Sequence, residues 1–180
     1  ADINSVNPVG KDLLLDEIQN GKAEFDKLVD SSDLLPEEQK KSFQESVRKK
    51  AAEAEDAIQK LDVNAATAEQ AEVIQEQAVT EEDKFFKFIA SSTVDFTLAA
   101  KLADLEANPN LSEAEKKAVR GEIEQVVEAA KKAIEGADSQ EVYDREKETA
   151  IARLAKIHPI GKEQFLKEIQ EEKTATIEAV

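Results

Sequence analysis

Residues 8–19, PVGKDLLLDEIQ, recur near the other end of the chain as residues 159–170, PIGKEQFLKEIQ. At this single offset of 151 residues, Pro, Gly, Lys, Leu, Glu, Ile and Gln occupy the same places. In both copies a proline and a glycine precede an amphipathic helical pattern. This duplication indicates a repeating array of helices, and each copy marks a joint between neighbouring repeats.

A second internal match has about half that spacing. The offset that takes Leu35 to Leu111 is called the short offset here. At this offset eight residues of the first half are identical to residues of the second half. The matching pairs are Leu35 and Leu111, Glu37 and Glu113, Lys40 and Lys116, Lys41 and Lys117, Ala54 and Ala130, Ala57 and Ala133, Ile58 and Ile134, and Asp62 and Asp138. Both offsets fit a repeat of about 75 residues, because the first is nearly twice the second.

The apolar residues between these marks recur at helical spacing. In the first repeat they predict helices over residues 11–30 and 36–61 and a third helix that begins at Thr67. In the second repeat they predict helices over residues 98–105, 112–135 and 139–158. Thr67 with Gln70, and Ser112 with Glu115, are typical of capping boxes. In the first helix the residues expected to face inward are Leu14, Leu15, Ile18, Phe25, Leu28 and Val29. Tyr143, the only tyrosine, is expected to be a half-buried packing residue.

The predicted fold is all-α, with two tandem three-helix bundles stacked end to end into a rod. Residues 1–7 are expected to be the tail of a preceding repeat, 8–91 the first repeat, 92–158 the second, and 159–180 the first helix of a following repeat. Both ends of the sequence are therefore expected to be boundaries within a longer protein.

The joint between the two repeats lacks the proline and glycine of the outer joints. Residues 89–96 read IASSTVDF, which allows either a nearly continuous helix or a brief kink at Ser-Ser-Thr. The outer joint at Pro159 and the middle joint at Ser91 are therefore predicted to differ in stiffness. Four of the seven phenylalanines also lie around the middle joint: Phe85, Phe86, Phe88 and Phe96. They are the candidate contact residues, either packed between the bundles or exposed as a patch for a partner.

Composition narrows the class of partner. The chain of 180 residues has a net charge of −16, so binding to nucleic acid or to an anionic membrane surface is not expected. A cationic patch on another protein remains a possible contact. Without cysteine there is no disulfide and no thiolate metal site. No stretch is long and apolar enough to predict a membrane-spanning helix.

The sequence contains none of the motifs that would predict catalysis. With five glycines there is no phosphate loop or dinucleotide fingerprint. His158, the single histidine, precedes Pro159 at a predicted helix end and is interpreted as a capping or surface residue. The Glu81-Glu82-Asp83 run lacks a calcium-loop pattern and is interpreted as a solvated acidic face. The predictions are therefore no enzyme activity, no catalytic residues, no cofactor and no metal.

Three segments resemble a known family. Residues 107–117 (ANPNLSEAEKK), 133–139 (AIEGADS) and 153–159 (RLAKIHP) are similar to the three-helix repeats of Gram-positive cell-wall-anchored surface adhesins, including staphylococcal and streptococcal extracellular-matrix-binding proteins. The resemblance is best over residues 98–173. No binding motif of that family is matched residue by residue.

This resemblance implies a secreted virulence protein anchored to the cell wall, in which the segment serves as a non-catalytic stalk. The alternative that it implies is a module that binds a host matrix or plasma protein such as fibronectin, fibrinogen or albumin. A third hypothesis, an intracellular coiled-coil assembly protein, is less consistent with the short capped helices and with the length of the repeat.

Overall fold

The computed structural model describes residues 10–61 and 67–157, and these residues form five α-helices. In chain order the helices are α1 (Lys11–Asp30), α2 (Glu37–Lys60), α3 (Ala68–Ala107), α4 (Glu113–Glu135) and α5 (Gln140–Lys156). The all-α prediction is confirmed. The predicted tail of a preceding repeat, the predicted first helix of a following one, and both copies of the proline lie outside the described residues.

Local sequence signals explain where the helices begin. Ser112 starts α4 with the predicted capping box: its hydroxyl accepts a hydrogen bond from the Glu115 N–H, and the Glu115 carboxylate accepts one from the Ser112 N–H at 2.9 Å. The Thr67 hydroxyl accepts a hydrogen bond from the Gln70 N–H at the start of α3. Gly10 precedes α1 in the left-handed region, at φ 58°, which glycine adopts without a steric penalty.

The middle joint is a continuous helix. Helix α3 runs for 40 residues through Ser91 and Ser92 without a break, which makes it about 60 Å long at 1.5 Å per residue. The hydroxyls of Thr93 and Thr97 donate hydrogen bonds to the carbonyls four residues earlier, at 2.9 and 2.8 Å. These bonds satisfy the polar side chains inside the helix. Of the two forms left open for this joint, the continuous helix is the one observed.

Two three-helix bundles share α3. Helices α1, α2 and α3 contact one another, as do α3, α4 and α5, whereas neither α1 nor α2 packs against α4 or α5. Core 1 is the buried cluster of the first bundle and contains Phe85 and Phe96 of α3. Core 2 is the buried cluster of the second bundle and contains Ala90, Val94 and Leu105 of α3.

The bundles overlap along α3 instead of stacking end to end. At 3.6 residues per turn, Phe85 and Phe96 lie on one face of α3 and Val94 lies on the opposite face, within the same few turns. No residue from 85 to 103 is exposed, as expected for a helix that packs on all sides. The expected end-to-end stacking is therefore wrong, because the two repeats bury opposite faces of one helical stretch.

The short offset also relates the two cores. The buried positions that correspond across the repeat are Leu14 and Ala90, Ile18 and Val94, Val29 and Leu105, Leu35 and Leu111, Val47 and Ile123, Ala51 and Val127, Ala54 and Ala130, Ile58 and Ile134, and Ala78 and Leu154. In this comparison α1 corresponds to the second half of α3. The same helix thus ends one bundle and begins the next.

Polar contacts between helices recur at equivalent positions of the two bundles, but different residue types form them. In the first bundle the Gln44 side-chain amide donates to the Asp30 carboxylate at 2.8 Å, and at the equivalent positions of the second bundle Arg120 pairs with Glu106. In the first bundle the Gln19 side-chain amide also donates to the Glu55 carboxylate. At the equivalent positions of the second bundle the Lys131 ammonium donates to both carboxylate oxygens of Asp95, at 2.9 and 2.7 Å. The geometry of the repeat is retained while its surface chemistry differs.

Two expectations about burial are wrong. Leu28 was expected to face inward but is 39% exposed, because the inward positions around it are taken by Phe25 and Val29. Tyr143 was expected to be half-buried but is 2% exposed, because it belongs to core 2. Its short helix has few large apolar residues, so the tyrosine ring supplies much of the packing.

Candidate functional site at the joint of the two bundles

The four phenylalanines of the joint lie at different depths. Phe85 is fully buried in core 1, and Phe88 is partly buried against the same core. Phe86 is partly buried, packs against both cores, and meets the Phe85 ring edge to face at a centroid distance of 5.4 Å. A patch that exposes all four rings does not exist, since Phe85 and Phe96 are buried.

Phe96 belongs to core 1, where it meets aromatic rings from both other helices of the bundle. Its ring contacts Phe25 of α1 and Phe43 of α2 edge to face, at centroid distances of 6.5 and 5.6 Å. Such pairs contribute about 0.5–1.5 kcal/mol each beyond their buried area. Phe96 therefore fixes all three helices of the first bundle at the level of the joint.

A groove of about 310 Å³ separates the two bundles at the joint. Its floor is the surface of α3, and its walls are α1 and α5, which do not contact each other. The lining residues are Gly21, Glu24, Phe25 and Leu28 of α1, Phe86, Ile89, Ala90 and Thr93 of α3, and Gln140, Asp144 and Lys147 of α5. The groove is apolar at its floor and charged only along its α5 wall and at Glu24.

Gly21 sets the approach of α1 to the floor of this groove. A Cβ atom at this position would lie 2.8 Å from Cε1 of Phe86 and 3.2 Å from Cδ1 of Ile89. Both distances are shorter than ordinary van der Waals contact between carbon atoms. Helix propensity alone would mark this glycine only as a weak point of α1. The structure shows that the missing side chain makes room for the Phe86 ring.

Acidic side chains converge beside the groove. Asp83 pairs with Lys87 at 3.0 Å, and Asp144 pairs with Lys147 at 2.6 Å. Glu82 has one carboxylate oxygen, Oε1, that is buried without a hydrogen-bond partner. Burial, together with the neighbouring carboxyl of Glu17, raises the pKa of Glu82 to about 8. Burial and the carboxylate of Asp83 also raise the pKa of the Tyr143 hydroxyl.

These groups revise the interpretation of Glu81-Glu82-Asp83 as a solvated face. Glu81 and Asp83 pair with lysines one helical turn further along α3, whereas the Oε1 atom of Glu82 is buried. The only signal in the sequence was the position of Glu82 one turn before Phe85 and Phe86, on the side of α3 that becomes buried. The contribution of the Glu17 carboxyl of α1 to the raised pKa of Glu82 could not be found without the packing of the helices.

Two shallower grooves lie on the outer sides of the bundles. One lies between α2 and α3 of the first bundle and is lined by Ala57, Leu61, Val73, Glu76, Gln77, Thr80 and Glu81. The other lies between α3 and α4 of the second bundle, over the Asp95–Lys131 contact.

Within residues 10–61 and 67–157 no group of three potential ligands among His, Cys, Asp and Glu is placed to hold a metal ion. No helix in the same ranges is long and apolar enough to cross a membrane. His158, interpreted above as a cap, lies outside the described residues.

Comparison with known proteins gives a match to a family model. None of the curated proteins and none of the solved structures matches the chain. Residues 87–162 match a family model described as Domain of Unknown Function (DUF1542). The matched window begins in the middle of α3, includes α4 and α5, and is as long as the short offset that relates the two repeats. The second repeat of this chain is therefore similar to DUF1542, a repeat domain found in Gram-positive surface proteins.

Proposed function

We propose that this chain is a non-catalytic stalk segment of a bacterial surface adhesin, which projects the rest of the protein from the cell wall. The observation that carries the proposal is α3, a single 40-residue helix that belongs to both bundles. A helix that is packed on all sides at a joint resists bending there, because bending would open both cores. A joint of this kind suits a part that must hold other domains at a distance.

The surface chemistry agrees with a spacer. The net charge of −16 makes neighbouring copies repel one another, which favours separate, soluble stalks. Retained core geometry with variable polar contacts, as in Gln44–Asp30 against Arg120–Glu106, is what a structural repeat requires. None of these features depends on a substrate or a cofactor.

The stiffness of the joint can be measured as a distance along α3. The natural chain has no cysteine, so Glu69→Cys and Asp104→Cys provide two exposed sites for spin labels. The helix between them corresponds to a distance of about 52 Å at 1.5 Å per residue. Pulsed electron resonance should give one narrow distance distribution near that value. A broad or much shorter distribution would contradict the stalk, and the same pair with Ser92→Pro serves as a bent reference.

The second candidate function is binding of a host matrix or plasma protein, and one difference between the repeats favours it. Among the described residues the exposed large apolar side chains all lie in the first bundle: Leu13, Leu28, Leu34, Val73 and Val79. At the short offset, the equivalent positions of the second repeat hold Ile89, Asp104, Asn110, Thr149 and Ala155. Since the second bundle folds with polar or small residues at four of these five places, the fold itself does not require apolar ones.

The repeat supplies its own control for this second candidate. Leu28→Asp, Leu34→Asn, Val73→Thr and Val79→Ala transfer the residues of the second bundle to the first. The variant should keep its circular dichroism spectrum and unfolding midpoint within a few degrees. Binding of immobilised fibronectin, fibrinogen and albumin to wild type, lost in the variant, would support the binding module. Absence of binding by wild type would favour the stalk.

A further inference from the structure

The second half of α3 packs on the first bundle through a face without polar side chains. Its residues there are all apolar or small, and all of them pack against core 1: Phe88, Ile89, Phe96, Ala99, Ala100 and Ala103. Phe96 is buried and the other five are partly buried. This face allows the first bundle to overlap the second along α3.

Helix α1 has the same place in the first bundle as the second half of α3 has in the second, but its corresponding face differs in chemistry. At the short offset the six positions of α3 correspond to Asp12, Leu13, Asn20, Ala23, Glu24 and Lys27, and all six are exposed. Four of these side chains are charged or carry an amide. Burying such groups without partners is costly, so this face opposes a bundle packed over it.

The entry into α1 differs from the middle of α3 as well. Helix α3 passes through Ser91 and Ser92 without a break. Helix α1 begins at Lys11, after Gly10 in the left-handed region at φ 58°. Because a right-handed helix does not continue through this conformation, α1 is not the continuation of a helix that comes before it.

The sequence shows the same two features together a second time. The proline and glycine recur at Pro159 and Gly161, at the offset of 151 residues from Pro8 and Gly10. At that offset the six positions of the α1 face hold Glu163, Gln164, Glu171, Thr174, Ala175 and Glu178, of which only the alanine is apolar. A polar set thus follows both proline–glycine marks, and the apolar set occurs where neither residue is present.

We propose that the building unit of the stalk is the pair of bundles that shares α3, with a period of 151 residues, and not the single bundle. Within a pair the two bundles overlap on α3. Between pairs the polar face of the helix that follows the proline and glycine stays uncovered, and no overlap forms. This proposal deepens the stalk function and rests on it.

Thiol labelling of an extended chain tests the paired unit. Residues 1–158 followed by residues 8–180 continue the chain in its own register and place a second pair after the first. Ala23→Cys, made in either copy, and Ala99→Cys replace the same residue at equivalent positions, and the natural chain has no thiol. Ala23→Cys should react with a maleimide at rates within about twofold in the two copies, whereas Ala99→Cys should react about tenfold more slowly, because its labelling needs a local opening.

Labelling in urea, where all three thiols should react alike, is the control. If Ala23→Cys in the second copy reacts as slowly as Ala99→Cys, neighbouring pairs overlap too and the paired unit is wrong. If Ala99→Cys reacts as fast as Ala23→Cys, the first bundle does not cover α3 and the proposal also fails. Slow labelling in the second copy would leave the stalk function standing, since the spin-label distance along α3 decides that function separately.

Discussion

At the scale of single residues, the two glycines inside the described helices differ in what surrounds them. Gly21 of α1 lies against Phe86 and Ile89, whereas a Cβ atom at Gly121 of α4 would have no neighbour within 4 Å. Helix propensity alone would treat them alike, since each lowers helix stability by about 1 kcal/mol relative to alanine. Only the packing at the joint shows that Gly21 makes room for the Phe86 ring, whereas Gly121 merely weakens α4.

Replacing each glycine by alanine should therefore change stability in opposite directions. Gly21→Ala is expected to destabilise the chain by about 1–2 kcal/mol, because Phe86 is held by both cores and cannot move away freely. Gly121→Ala is expected to stabilise it by about 0.5–1 kcal/mol through helix propensity. Chemical denaturation of both variants measures the difference. Equal changes in both would show that Phe86 adjusts without loss.

At the scale of helices, the sequence predicted the elements well where local signals decide them. The bounds of α1 and the Ser112 capping box came directly from periodicity and cap residues. The arrangement of the joint was not predictable in the same way, because residues 85–103 are apolar or small on nearly every face. A pattern without a polar face does not say how many partners the helix has, so the overlap of the bundles was missed.

The candidate residues show the same limit. The phenylalanines were found by their clustering, but their depths depend on which face of α3 meets which bundle. Glu17 and Glu82 are far apart in sequence and ordinary in composition, so nothing local marks the effect of the Glu17 carboxyl on the pKa of Glu82. Tyr143 stands among polar residues, and its burial follows only from the position of α5 against α3.

The continuity of α3 can be tested with proline at two sites. Ser92→Pro, in the shared part of the helix, should destabilise the chain by about 3 kcal/mol or more, because it removes a backbone hydrogen bond and clashes with the preceding turn. Ala68→Pro, at the first helical position after Thr67, should be nearly neutral, because the N–H there has no partner within the helix. Unfolding midpoints by circular dichroism compare the two. Equal tolerance would mean that α3 is not continuous through Ser92 in solution.

At the scale of the whole molecule, sharing α3 couples the two bundles. Ile58 of core 1 and Ile134 of core 2 occupy equivalent positions and are both fully buried. Because α3 contributes buried residues to both cores, unfolding of either bundle exposes one face of the helix that the other needs. We therefore expect the described part of the chain to unfold as one cooperative unit.

The single tyrosine makes this expectation measurable. Tyr143 lies in core 2 and the chain has no tryptophan, so tyrosine fluorescence reports on the second bundle, while circular dichroism reports on all helices. Ile58→Ala should remove about 2–5 kcal/mol of stability and shift the fluorescence transition together with the dichroism. Ile134→Ala is the matched variant in the second bundle. A fluorescence transition whose midpoint is unchanged by Ile58→Ala would show that the bundles unfold independently.

The continuous packing of α3 also determines which changes of length the molecule can accept. Each residue inserted between Phe85 and Ala103 would turn everything beyond it by about 100° and advance it by about 1.5 Å. Since the two cores use opposite faces of this same stretch, no insertion there can spare one of them. The turns at 31–36 and 108–112 have no such constraint. Helix α3 therefore fixes both the distance and the angle between the two halves of the molecule. Evolution can lengthen the loops far more easily than it can alter that angle.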